Sequence, residues 1–199
     1  EEGENLIIKN CNFTNNFAQV AAGAIGVYGN NTKVIGCNFV SNKVKPTSNH
    51  EAYGGAIQIG RDEYNLCSYV VNCSFINNGA IGRNLNNSHG GAGCVRAGII
   101  YQNCKFINNS AGQGGALTYH ASGSIEDCVF INNSAKLYGG ALSTGYIDGD
   151  MELIVVNCNF EQNNAPYGGA VQLKGKNIEI HKSIFNKNIA AINGGAINI

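Results

Sequence analysis

Apolar residues recur along this chain in short alternating runs, and no stripe of period 3.6 extends beyond a single turn. In one stretch Ile99-Ile100-Tyr101 leads into Cys104-Lys105-Phe106, an Asn-rich bend, and then Ala116-Leu117-Thr118-Tyr119. Alternation of this kind predicts strands that bury every second side chain. The positions three before each Cys or its equivalent are Ile8, Val34, Val70, Tyr101, Ile125, Val155 and Ile180, one apolar set suited to a buried ladder. Ile25, Ile57, Leu117, Leu142, Val171 and Ile197 make another, and the Cys and Phe positions two more. Three short strands per unit is the resulting expectation.

The unit repeats. Phe-x-x-Asn occurs at Phe13, Phe39, Phe75, Phe106, Phe130, Phe160 and Phe185, at spacings of 26, 36, 31, 24, 30 and 25 residues. Each copy is followed by a small-residue strand opener: Ala22-Gly23-Ala24 first, then Gly-Gly-Ala beginning at Gly54, Gly90, Gly114, Gly139, Gly168 and Gly194. Two residues before each Phe stands Cys11, Cys37, Cys73, Cys104, Cys128 or Cys158, with Ser183 in the last copy. A short fixed period means that each unit buries its apolar face only by stacking on copies of itself. The predicted fold is all-β, a right-handed parallel β-helix (solenoid) of about seven coils. At about 4.8 Å per stacked strand it forms a rod about 34 Å long. Residues 1–199 read as one repeat domain, a piece of a longer protein. Asn and Gly tolerate the left-handed backbone of tight corners, so Asn-Asn and Gly-Gly mark the bends. The Asn109 set is expected to stack as a hydrogen-bonded ladder.

These motifs carry a resemblance. Phe-x-x-Asn alternating with Gly-Gly-Ala-[Ile/Leu/Val] resembles the repeats of chlamydial polymorphic outer-membrane proteins, and the Asn-rich style is similar to adhesin-like surface proteins of methanogenic archaea. What the resemblance implies is an extracellular passenger or stalk of a cell-surface adhesin. Its partners would be a host or environmental glycan or a surface protein.

Composition narrows the field. With 13 basic and 13 acidic residues the formal net charge is zero, which points away from nucleic acid. No apolar run reaches the 18 residues that a membrane-spanning helix needs. The eight cysteines lack Cys-x-x-Cys pairs and His partners at ligand spacing, so neither a metal site nor a cofactor is expected. Stacked core cysteines point in parallel at the strand spacing, too far at Cβ for a bridge, and are expected to be free thiols. Cys67 and Cys94 lie outside that ladder and are a candidate disulfide. Sequons at Asn12, Asn30, Asn72, Asn86, Asn108 and Asn132 are candidate glycosylation sites.

Candidate binding residues come from two places. Outward positions of the Gly-Gly-Ala strand are Gln58, Cys94, Thr118, Ser143, Gln172 and Asn198, with Arg96, His120 and Lys174 two residues farther along. Of these, Gln58, Arg96, Thr118, His120, Gln172 and Lys174 can hydrogen-bond a glycan or a protein. The second place is a pair of inserts, Lys43 to Tyr53 and Gly79 to His89, which fall in adjacent coils and should project side by side with His50 and His89. Two further inserts span Gly60 to Ser68 and Gly145 to Met151. The outward row Asn12, Asn38, Ser74, Lys105, Val129, Asn159 and Ile184 contains no carboxylate pair for acid–base chemistry. A non-enzymatic binding protein is therefore the first reading. A structural stalk or filament subunit is the alternative, favoured by outward Ile7, Ile35, Val71, Ile100, Ile154 and Val156 and open to self-association. A polysaccharide lyase or hydrolase comes third.

Overall fold

The computed structural model describes residues 5–29, 31–48, 50–60, 68–145 and 151–199. Among the described residues every paired strand is parallel, and the strands form four sheets of seven, seven, nine and seven members. The fold is a right-handed parallel β-helix of about seven coils. One coil shows the plan: Ile99–Gln102 lies in the first sheet, Lys105–Ile107 in the second, Ser110–Gln113 in the third and Leu117–Tyr119 in the fourth.

Four strands per coil correct the expected three. The additional strand lies between the Asn corner and Gly-Gly. Its inward residues are as small as Ala111, Ala135 and Ala165, so no large apolar alternation announces it.

The other ladders run as the periodicity implies. Ile8, Val34, Val70, Tyr101, Ile125, Val155 and Ile180 stack in register in the first sheet. The seven Phe rings stack with centroids 4.7–5.0 Å apart and planes within 9° of parallel. The fourth-sheet ladder has one gap, where Gly93 falls between Ile57 and Leu117. A Cβ there would lie 2.7 Å from the Tyr101 hydroxyl, so the large residue of the first-sheet ladder occupies the volume that Gly93 vacates. Corners between the first and second sheets, and between the second and third, sit in the left-handed region, for example Asn103 (φ 51°) and Asn108 (φ 55°).

The cysteine row is bonded across coils, not bridged. Cys37 N–H donates to Cys73 Sγ and Cys104 N–H to Cys128 Sγ, each at 3.4 Å. In the last coil Ser183 Oγ accepts the Cys158 N–H at 3.1 Å, so the slot takes a small acceptor of either element. These thiols are free, and burial pushes Cys104 up to about 12. Since the thiolate is the nucleophile, native protein treated with iodoacetamide should label at Cys11 and leave Cys37, Cys73, Cys94, Cys104, Cys128 and Cys158 unmodified until denaturant is added. Peptide mass mapping that found native-state alkylation along the row would contradict this packing.

The apolar stripe on the first sheet is not continuous. Ile7, Ile100 and Ile154 share one outward row with Lys33, Ser124 and Glu179. Ile35, Val71 and Val156 share the next with Lys9, Gln102, Glu126 and His181. Charged and polar members interrupt both.

Candidate functional site

Where the third and fourth sheets meet, three rows of outward side chains run along the rod. The third-sheet strands end on Tyr53, His89, Gln113, Tyr138, Tyr167 and Asn193, in register. The chain then turns through left-handed glycines such as Gly114 (φ 57°) and returns as the fourth sheet. Its outward row is Gly26, Gln58, Cys94, Thr118, Ser143, Gln172 and Asn198. Two residues on, backbone bonds such as Arg96 N–H to Ile59 C=O and His120 N–H to Val95 C=O extend the ladder to a third row holding Gly60, Arg96, His120, Gly145 and Lys174.

The middle row is covered. Gln58, Cys94, Thr118, Ser143 and Gln172 are at most 4% exposed, although they point away from the main core. Side chains of the flanking rows lie over them. The Arg96 guanidinium sits over the Tyr53 ring at 5.2 Å, and Lys174 Nζ over the Tyr138 ring at 5.5 Å. His89 stacks on Tyr53 at 5.3 Å and meets His120 edge-on at 5.0 Å. Tyr138 and Tyr167 lie 5.5 Å apart. Thr118 Oγ1 donates to the Gln113 carbonyl at 2.8 Å, tying the middle row to the wall across the turn. Gly145 leaves room for His120, since a Cβ there would fall 2.0 Å from the imidazole Cε1.

A buried and a half-buried imidazole beside a guanidinium stay neutral. Burial first, then the charges of His120 and Arg96, lower His89 from 6.5 to about 3, and burial with Arg96 lowers His120 to about 4. The unfolded chain binds those protons near the ordinary value, so it holds more protons than the fold from about pH 6.5 down to about pH 4 for His120 and about pH 3 for His89. Stability is therefore full above that window and falls as the pH is lowered through it, by up to about 1.4 kcal/mol per pH unit for each imidazole. Urea midpoints measured from neutral to mildly acidic pH should show this slope, and a His89→Phe, His120→Phe double variant should flatten it. An equal slope in that variant would move the cause elsewhere.

The predicted binding residues thus divide. Arg96, His120, Lys174 and His89 are brought together along the corner. Gln58, Thr118 and Gln172 point into it but are covered, a correction to the exposed face that alternation implies. His50 is exposed on the first insert, and the ring neighbours of His89 are Tyr53 and His120 instead. Tyr53, Tyr138 and Tyr167 were not predicted, though each directly precedes Gly-Gly-Ala. The two inserts do lie side by side: they return as strands Ala52–Tyr53 and Ser88–His89, which pair in register. Val44, Ala52, Ala80 and Ala111 form a small separate core between them.

Cys94 is completely buried with a free thiol, and its proposed partner Cys67 lies outside the described residues, as does Asn30. Asn12, Asn72, Asn86, Asn108 and Asn132 are exposed. Asn12, Asn72 and Asn108 accept through Oδ1 from Asn38, Asn103 and Asn132 of the neighbouring coils. Among the described residues no three histidine, cysteine or acidic side chains converge as metal ligands, and no helix is long and apolar enough to cross a membrane.

Fold and surface together define a parallel β-helical repeat protein with an aromatic and basic corner. Residues 127–145, which run from a left-handed corner through Phe130 and Asn133 to Tyr138 and the next Gly-Gly-Ala strand, match the Chlamydia polymorphic membrane protein repeat. The match covers one of the seven units and agrees with the resemblance that the Phe-x-x-Asn and Gly-Gly-Ala motifs carry. No curated protein and no solved structure matches the chain.

Proposed function

We propose that this chain is the extracellular repeat segment of an adhesin-like surface protein, non-enzymatic, that recognises glycan on the corner between the third and fourth sheets. One observation carries the reading: aromatic rings, amides and cations stand in three parallel rows at the strand repeat. Such a surface offers apolar ring faces beside hydrogen-bond donors, the combination that an amphipathic sugar ring needs. The repeat match to a membrane-protein family supports a surface location. The sequons add that the chain is exposed to glycosylation, and the flanking inserts are available to a protein partner.

A polysaccharide panel tests this, with retention and product formation read together. Retention without products, weakened by Tyr138→Ala and Tyr167→Ala, is the expected result. Turnover would make the protein an enzyme. Absence of retention would favour the structural stalk, for which the outward second-sheet row Val40, Ile76, Ile107 and Ile131 is a candidate lateral contact.

A further inference from the structure

We propose that the second insert of one copy of this chain docks on the outer face of the second sheet of another, joining rods side by side. The proposal is independent of the glycan reading, because Ile81, Arg83, Leu85 and the second-sheet face all lie outside the corner rows. It starts from two side chains that the core leaves out. Among the described residues, the large apolar side chains left exposed fall in the first and last coils, except Ile81 and Leu85 at 47% and 43%. Both stand on the insert Gly79 to His89, with exposed Arg83 between them. This tip is held in shape. Ser88 Oγ accepts from the Gly82 N–H at 2.7 Å, Asn84 Oδ1 accepts from the Asn86 N–H at 3.0 Å, and Gln113 Nε2 donates to the Asn86 carbonyl at 2.8 Å. An ordered tip loses little freedom on binding, and arginine is among the residues that carry interface energy.

The surroundings of the tip are cationic. Lys43, Lys45 and Lys136 stand exposed on the third sheet and the first insert, and like Arg83 they make no ion pair. Glu51 is the one acidic residue among the described residues of that sheet and the two inserts beside it. Asp62, Glu63, Asp148 and Asp150 belong to the inserts that leave the fourth sheet after Gly60 and Gly145. The partner surface must therefore pair an acidic group with an apolar patch.

The same chain carries that surface. On the outside of the second sheet, half-exposed Val40, Ile76, Ile107 and Ile131 continue in register to Glu161, each about 4.8 Å from the next. Other carboxylates of this side are occupied. Glu126 accepts from Ser124 Oγ at 2.8 Å, Asp127 from Asn157 Nδ2 at 2.6 Å, and Glu179 meets His181 at 2.7 Å. Glu161 has no such partner, and Lys187 in the next coil does not pair with it. Lys105, the cation beside Ile107, stands two coils from Glu161 and leaves the acidic end open to Arg83. Ile81 and Leu85 then meet Ile107 and Ile131 while the guanidinium fork meets the Glu161 carboxylate. On one rod the insert and Glu161 belong to different sheets three coils apart, so only a second copy brings them together.

The two patches differ, so the contact is heterologous: each copy keeps one tip and one face free, and assembly continues. The contact is small and its affinity correspondingly weak. Sedimentation velocity tests it on chain made without N-glycans, since Asn86, Asn108 and Asn132 border the two patches. Expected is association that grows with concentration at low salt and weakens at high salt. Ile81→Ser with Leu85→Ser should abolish it, and Arg83→Glu and Glu161→Lys should each weaken it about tenfold or more, the size of one charge-assisted contact. Mixing the Arg83→Glu variant with the Glu161→Lys variant should restore it, as should both changes in one chain. Lys9→Gln, on the first sheet, should leave it unchanged. Circular dichroism and melting identify the variants that fold, and the mixed charge variants carry the test if the double serine variant does not. Glycan retention should be the same in all of them, so this proposal and the glycan reading fail separately.

A chain that sediments as a monomer at every concentration in low salt would overturn the proposal. Association that Glu161→Lys leaves intact would do the same by placing the tip on another surface, as would association that survives the double serine variant. A monomeric chain that floats with phosphatidylglycerol vesicles, and loses them with Ile81→Ser and Leu85→Ser, would make the insert a lipid contact and overturn it as well.

Discussion

Gly115→Ala is expected to cost more than about 4 kcal/mol, enough to abolish a cooperative melt in a domain of ordinary stability. The reason is not backbone freedom. A Cβ at Gly115 would lie 2.1 Å from the Gly140 carbonyl oxygen and 2.6 Å from the Ser134 carbonyl, all main-chain atoms of the next coil. No rotamer relieves such a contact; the coils must move apart, and moving them breaks the strand bonds on every side. The same approach recurs at Gly55, Gly91 and Gly140, each with its Cβ position 2.1 Å from a glycine oxygen one coil on. The second Gly of each Gly-Gly pair is therefore a requirement of coil-on-coil distance. Gly195→Ala is the matched control, because the nearest atom to its Cβ position is Asn188 O at 3.9 Å. That variant should stay within about 0.5 kcal/mol of the parent, as surface changes do. Thermal and urea unfolding of the pair decides the matter, and indistinguishable melts would mean that the stacking distance is not what selects glycine.

Most of the fold could be read from the residues because stacking makes each buried row a sequence period. Ile8 through Ile180, the seven Phe and the seven Asn announce themselves at fixed offsets. What escaped was set by size or by long-range geometry. The third-sheet strands bury Ala111, Ala135 and Ala165, side chains too small to distinguish a strand from a turn. Gly93 and Tyr101 compensate across the core, and neither is anomalous in its own strand. Alternation placed Gln58, Thr118 and Gln172 on the outer face correctly, but their burial depends on the sharpness of the Gly-Gly corner, which no period encodes. The walls of that corner were within reach. Tyr53, Tyr138 and Tyr167, with His89 and Gln113, all stand one residue before Gly-Gly-Ala, and aligning the repeats on the glycines instead of on Phe brings them into one row.

Asn109→Ala is expected to be the costliest change among the polar residues, about 1–3 kcal/mol for the buried backbone N–H it orphans and about 1 kcal/mol more for each side-chain hydrogen bond lost with it. Asn109 is fully buried. Its Oδ1 accepts from the Asn78 N–H at 2.9 Å and from Asn78 Nδ2 at 3.1 Å. Its Nδ2 donates to the Phe75 carbonyl at 2.9 Å and to Asn133 Oδ1 at 3.0 Å. Truncation strands the Asn78 N–H and removes a side-chain donor from the Phe75 carbonyl, whereas Asn133 Oδ1 still accepts from the Asn109 N–H. Asn109→Asp does not rescue: it keeps an acceptor for Asn78 but turns an oxygen toward the Phe75 carbonyl, where a donor is needed. Because every amide in the row points the same way, from Asn16 to Asn188, the bonds polarise one another and the loss exceeds that of an isolated pair. Asn16 tests the accounting. Its side chain donates only to Asn42 Oδ1, so Asn16→Ala should cost no more than about 1 kcal/mol, one ordinary hydrogen bond. Chemical unfolding of the three variants should rank Asn109→Ala and Asn109→Asp well below Asn16→Ala. If all three matched the parent, the ladder would be a passive filler and the Phe-x-x-Asn period would need another cause.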